Sequence, residues 1–201
     1  MSLLNIPAEI RLHIYSELLV RDSPIVFGVY YGSRDPNLVR VRKSGLFPAL
    51  VRVSKMVNRE AIPLIYANNC FRFPDAYTAF NPSTDLTSYG GDVSYIAPFL
   101  RQIGANAGLL RHISIDFPTS FASREPLVLH AHHLRVFQLI RETCTDLRTV
   151  EISSQPPDGI ISLWDADLAQ QMLKTLDDSG LGSMPSLEKI VLVSGEYDID
   201  E

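Results

Sequence analysis

The sequence predicts an α/β chain: a helical N-terminal part carrying a β-hairpin, then a short array of parallel strands with returning helices. Three observations predict it. Apolar residues recur at helical spacing over 6–19 and again over 50–64. Two β-branched or aromatic runs flank a turn-rich stretch at 32–37. Three later segments, led by Leu110, Leu147 and Leu187, repeat one pattern, and each follows a helical stretch.

The first helix opens in the run Leu3-Leu4-Asn5-Ile6-Pro7-Ala8-Glu9-Ile10. Proline suits the first helical position, where its missing N–H had no partner. Glu9 lies in the first turn, where the helix dipole favours a carboxylate. Ile6, Ile10, Ile14 and Leu18 recur every four residues, with Tyr15 and Leu19 widening the stripe. Asp22-Ser23-Pro24 places the end near Val20. Strands are expected over 25–31 and 38–42, joined by the turn Gly32-Ser33-Arg34-Asp35-Pro36-Asn37. A second helix is expected from Pro48, with Leu50, Val53, Val57, Ala61 and Leu64 on one face. Pro63 predicts a kink or a fresh start inside it. Asn68-Asn69 suits a left-handed helix end, and Phe71-Arg72-Phe73 a short strand. Residues 74–91 hold Pro74, Pro82, Gly90 and Gly91 and read as one long loop, a lid or a mobile segment. The expected organisation is 1–73 with the inserted hairpin, 74–91 as loop, and 92–201 as the strand/helix array, packed as one unit with the N-terminal part.

Each repeated segment reads Leu, two residues, an aliphatic, one residue, an aliphatic: Leu110-Arg111-His112-Ile113-Ser114-Ile115, Leu147-Arg148-Thr149-Val150-Glu151-Ile152 and Leu187-Glu188-Lys189-Ile190-Val191-Leu192. The leading leucines are 37 and 40 residues apart. Helical stretches at 93–104, 131–144 and 165–178 precede them. This alternation predicts right-handed crossovers and parallel strands. The pattern resembles a leucine-rich repeat with a long helical return. It departs in its period, beyond the roughly 20–29 residues usual for that class, and in holding Pro118, Gln155 and Gly195 where the ladder asparagine belongs. The alternative is an unrelated βα array in which a leucine happens to precede each strand.

The N-terminal part carries a second resemblance. Leu4-Asn5-Ile6-Pro7-Ala8-Glu9-Ile10-Arg11-Leu12-His13-Ile14-Tyr15 resembles the opening of an F-box, with its Leu-x-x-Leu-Pro-x-Glu-Ile pattern. The segment 50–66, followed by Asn69-Cys70-Phe71-Arg72-Phe73, is similar to the second half of F-box-like proteins of filamentous fungi. The resemblance implies a non-enzymatic adaptor. Its F-box helices would dock on a Skp1-type linker protein of a cullin-based ubiquitin ligase, and its repeats would hold a protein substrate. Carried over by position, the docking residues are Leu4, Ile6, Pro7, Ile10 and Ile14, with Leu50 and Val53 on the second helix. Arg11, Arg52, Lys55 and Arg59 would rim that stripe and suit an acidic partner. A plain F-box keeps its helices close, whereas 21–46 intervene here. A hairpin there could cover the stripe and make Ile6, Ile10 and Ile14 ordinary core. The chain would then be an interaction or structural module without a ligase link, and an enzyme of unrecognised type is the third reading.

Composition narrows the classes. With 46% hydrophobic and 20% charged residues, 201 residues bury a core unaided. Residues 1–72 carry a net +5 and 73–201 a net −10, so the chain as a whole is acidic. No nucleic-acid partner is expected, since the densest basic stretch, Arg40-Val41-Arg42-Lys43, is short and reads as a strand's solvent face. No membrane span or signal peptide is evident, and Cys70 and Cys144 read as free thiols. A reducing intracellular compartment, cytoplasmic or nuclear, is therefore expected.

Catalytic and metal signatures are weak. No phosphate loop, dinucleotide fingerprint or nucleophile elbow occurs. Ser179-Gly180-Leu181-Gly182-Ser183 reads as a helix cap and turn. His130, His132 and His133 lack a fourth ligand, so neither metal nor cofactor is expected. His112 with Ser114 or Ser120 and Asp116 could make a triad only by tertiary accident. Cys144 reads as a packed thiol, and Trp164 as a plug of the array or an exposed anchor.

Overall fold

Pro7 sets the start of the first helix, α1 (Ala8–Leu19): its φ is −52°, and its carbonyl accepts the Arg11 N–H at 3.1 Å. The computed structural model describes residues 3–30, 37–40, 46–73, 96–117, 131–154, 170, 173–174 and 176–194, and all that follows concerns these. A short 3-10 turn, Leu3–Asn5, precedes α1, so Pro7 sits just outside the helix rather than in its first turn. The helix stops at Leu19, where Val20 turns extended.

Strands β1 (Ile25–Tyr30) and β2 (Asn37–Arg40) form the expected antiparallel hairpin, with Tyr30 opposite Asn37. The second helix departs from expectation. A 3-10 turn spans Pro48–Arg52, and α2 (Lys55–Asn68) begins afresh. Ser54 breaks the two apart. It is fully extended, and its hydroxyl accepts the Val57 N–H at 3.2 Å, which caps α2. Leu50 and Val53 therefore do not continue the α2 face. Pro63 neither ends nor restarts the helix; α2 runs through it to Asn68. Asn69 is not left-handed either, with φ −108° and ψ 149°. Its side chain explains the end better. Buried Nδ2 donates to the carbonyls of Leu19 (2.7 Å) and Ile65 (2.8 Å), and Oδ1 accepts the Arg21 N–H at 2.9 Å. One amide thus seals the C-terminal ends of both helices.

From there strand and helix alternate: β3 (Cys70–Phe73), α3 (Ile96–Ile103), β4 (His112–Phe117), α4 (Ala131–Thr143), β5 (Thr149–Ser154) and β6 (Lys189–Ser194). Residues 176–178 are helical and end at Gly180, whose φ of +73° is the left-handed form glycine takes without strain. Most of the segment expected to be helical over 165–178, the long loop at 74–91, and Pro118, Gln155 and Gly195 lie outside the described residues.

All six strands form one sheet in the order β2-β1-β3-β4-β5-β6, with β1, β3, β4, β5 and β6 parallel. The hairpin is therefore the sheet's N-terminal edge. Each parallel strand lies beside its predecessor. His112 pairs with Thr149 and Thr149 with Lys189, so the offsets of 37 and 40 in sequence are the register of the sheet. Cys70 pairs with His112, which makes β3 a fourth member of the series. The turn before each strand repeats too. The N–H groups of Leu110, Leu147 and Leu187 donate to the carbonyls of Ala107, Cys144 and Met184, all buried.

One sheet face packs against the helices. Phe71, Phe73, Ile113, Ile115, Val150 and Ile152 meet Leu100, Phe137, Ile140 and Leu176 in a single cluster. Burial of each such side chain stabilises by about 1.5–3 kcal/mol. At its N-terminal end Phe27 stacks on Phe71 and Phe73 while Phe99 meets all three at a tilt, with ring centroids 5.1–6.4 Å apart. A second cluster, Tyr15, Leu19, Val57 and Ala61, holds α1 on α2; Leu46 and Ile65 pack against both clusters.

Candidate docking surface

Helix α1 carries two stripes of residues spaced by four. The inward side is Arg11, Tyr15 and Leu19, spaced by four and buried against α2. The outward side is the stripe carried over from the F-box resemblance. Ile10 is 52% exposed and Pro7 exposed, while Ile6 and Ile14 are half-buried. Among the described residues nothing covers Ile10, and strands β1 and β2 of the hairpin lie in the sheet instead. Leu4 sits in the 3-10 turn, and its side chain is outside the described residues. Val53, 67% exposed, stands in the break before α2, with Phe47 also exposed and Leu50 half-buried. Leu12, on the opposite side of α1 from Ile10, is exposed as well.

Arg11 is not a rim charge. It is buried, its Nε donating to Glu60 Oε2 at 3.0 Å and its Nη2 to Glu60 Oε1 at 2.5 Å, in a bidentate pair. Its Nη1 also donates to the Ile6 carbonyl, which ties the chain before α1 to the helix. The hydrogen bonds from Arg11 hold the Glu60 carboxyl below its ordinary range, and the same bonds raise the Arg11 pKa. The Tyr15 hydroxyl is sealed beside this pair; burial first, and then the Glu60 charge, push its pKa up. The pair fixes the roll of α1 about its own axis, and so fixes which stripe faces out. The pairing joins residues 49 apart, which no periodicity reveals.

Arg52, Lys55 and Arg59 line a groove of about 750 Å³ along α2, which also takes in Asn106 from the turn after α3. Lys55 and Arg59 lie about 150° around the helix from Val57 and Ala61, the residues that face α1. These cations border their own groove.

On the sheet face turned away from the helices the central strands are polar. Cys70, His112, Thr149 and Lys189 form one row across the strands, and Arg72, Ser114 and Glu151 the next, with Val26 and Val191 at its ends. The fully buried Ser114 donates to Glu151 Oε1 at 3.1 Å, so its hydroxyl is engaged by a carboxylate rather than by His112. Partial burial, then the Arg111 and Arg148 charges, lower the His112 pKa and favour the neutral imidazole. Burial pushes the Cys70 thiol up to about 12 and the Cys144 thiol up to about 11, so neither supplies a thiolate at neutral pH. Both thiols are free. The side chains of Asp116 and of the histidines at 132 and 133 are outside the described residues, as are Ser120, His130 and Trp164. Among the described residues no cluster could hold a metal ion, and no helix is long and apolar enough to cross a membrane. Comparison with family models, curated proteins and solved structures found no match.

Proposed function

We propose that the chain is a non-enzymatic recognition adaptor of F-box type, with a leucine-rich-repeat-like array behind an N-terminal docking helix. The outward stripe of α1 would engage a Skp1-type linker of a cullin-based ubiquitin ligase, and the rest of the molecule would hold a protein substrate. The carrying observation is the exposure of Ile10 beside Pro7 on a helix that already satisfies its own packing through Tyr15 and Leu19. A helix that keeps an exposed isoleucine between half-buried ones after its inner face is filled is suited to a groove on a second protein.

The test is co-elution with a Skp1-type protein on gel filtration at micromolar concentration. The intact chain is expected to co-elute, and the double variant Pro7→Ala, Ile10→Asp to elute alone. Because Ile10 is exposed, the variant folds, which circular dichroism checks. Absence of co-elution by the intact chain refutes the ligase link.

A further inference from the structure

The groove along α2 has a composition of its own. Its walls carry three cations, Arg52, Lys55 and Arg59; among the described residues none of them is in an ion pair and no acidic residue lines the groove. Val51, Ile62 and Pro63 supply its apolar lining. A volume of about 750 Å³ is within the range of ligand clefts. Lys55 and Arg59 are one turn apart, about 6 Å along the axis, and Ile62 and Pro63 follow one turn later. An extended peptide places residues i and i+2 about 6.6 Å apart on one side. The two periods match.

We propose that this groove binds an extended acidic peptide segment of another protein, in the pattern acidic–x–acidic–x–apolar. The acidic pair meets Lys55 and Arg59, and the apolar residue lies on Ile62 and Pro63. Arg52 extends the positive field toward the peptide's start and steers its approach. A nucleic acid fits less well: among the described residues no aromatic ring lines the groove to stack a base, and the chain carries −5 overall. That this segment belongs to a substrate rests on the adaptor reading; the binding itself does not.

The experiment uses the full chain and a fluorescein-labelled twelve-residue peptide containing Asp-Ala-Asp-Ala-Leu, followed by fluorescence anisotropy in low salt. The intact chain is expected to bind saturably. The double variant Lys55→Glu, Arg59→Glu weakens binding at least tenfold, and Leu→Ser in the peptide weakens it severalfold. Lys55 stands in the first turn of α2, where glutamate suits the dipole, so this variant keeps its fold. Equal binding by the charge-reversed chain overturns the proposal, as does absence of saturable binding by the intact chain. Tighter binding of a twelve-nucleotide oligothymidine than of the peptide overturns it in favour of nucleic acid. The Pro7→Ala, Ile10→Asp chain is expected to retain the peptide while losing the linker, so the groove and the ligase link fail separately.

Discussion

Asn69 shows how much one side chain can hold. Its amide meets Leu19, Arg21 and Ile65, so the C-terminal end of each helix and the strand that follows depend on one buried group. Asn69→Ala strands these backbone groups without water, and is expected to lower stability by about 3 kcal/mol in urea unfolding. Its place after α2 was legible as a helix end, but its mechanism was not, because the partners lie 48 and 50 residues back. Glu60 makes the complementary case for pH. Its pKa in the folded chain lies below the ordinary 4.5, because Arg11 hydrogen-bonds its charged form. The stability it contributes is therefore complete above about pH 4.5 and disappears as pH falls through the lower folded-state value. Glu60→Gln is expected to be less stable than the parent at pH 7. The difference should shrink on acidification below 4.5, as read by thermal unfolding across pH.

At the scale of elements, the difference between reading and structure falls where a helix offers two solutions. In α1 the spacing of Ile6, Ile10, Ile14 and Leu18 and that of Arg11, Tyr15 and Leu19 are both helical. Periodicity alone cannot decide which stripe packs, and an arginine on the buried one points the wrong way until Glu60 is known. The break before α2 has a similar cause. Leu50 and Val53 fit the α2 period, yet Ser54 caps a new helix with its hydroxyl, a local hydrogen bond that the period does not reveal; Leu50 packs on the α1–α2 cluster from its own turn, and Val53 stays exposed. Pro63 is the converse case. It sits exposed within α2, and its ring leaves the Arg59 carbonyl without the usual donor. Pro63→Ala restores that hydrogen bond. A gain of about 1–2 kcal/mol is expected, below the roughly 3 kcal/mol of an interior helical proline because the proline also restricts the unfolded chain. Chemical denaturation measures it.

Across the whole molecule, the most legible feature is the series led by Leu110, Leu147 and Leu187, because its offsets are also the strand register. Its fourth member, β3, was hidden because Asn68 stands where the leucine belongs. The column Ala107, Cys144 and Met184 was hidden because three unlike side chains share only burial. The aromatic stack was hidden because its rings come from β1, β3 and α3. What no pattern announces is the joint between the helical part and the sheet. Ile65 supplies it together with Leu46: from α2, Ile65 packs against Tyr15 and Leu19's cluster on one side and the sheet's cluster on the other. Ile65→Ala should therefore loosen both parts together. Ile65 is half-buried, so the loss is expected at about 2 kcal/mol, the low end for an isoleucine truncated in a core. Native-state hydrogen exchange reads the consequence by element. The slowest amides of α1 and those of β4 and β5 should each exchange about 30-fold faster. Equal acceleration on both sides marks a joint through which the docking helix and the array unfold as one unit. Acceleration confined to α1 would instead make the helical part a separate unit resting on the sheet.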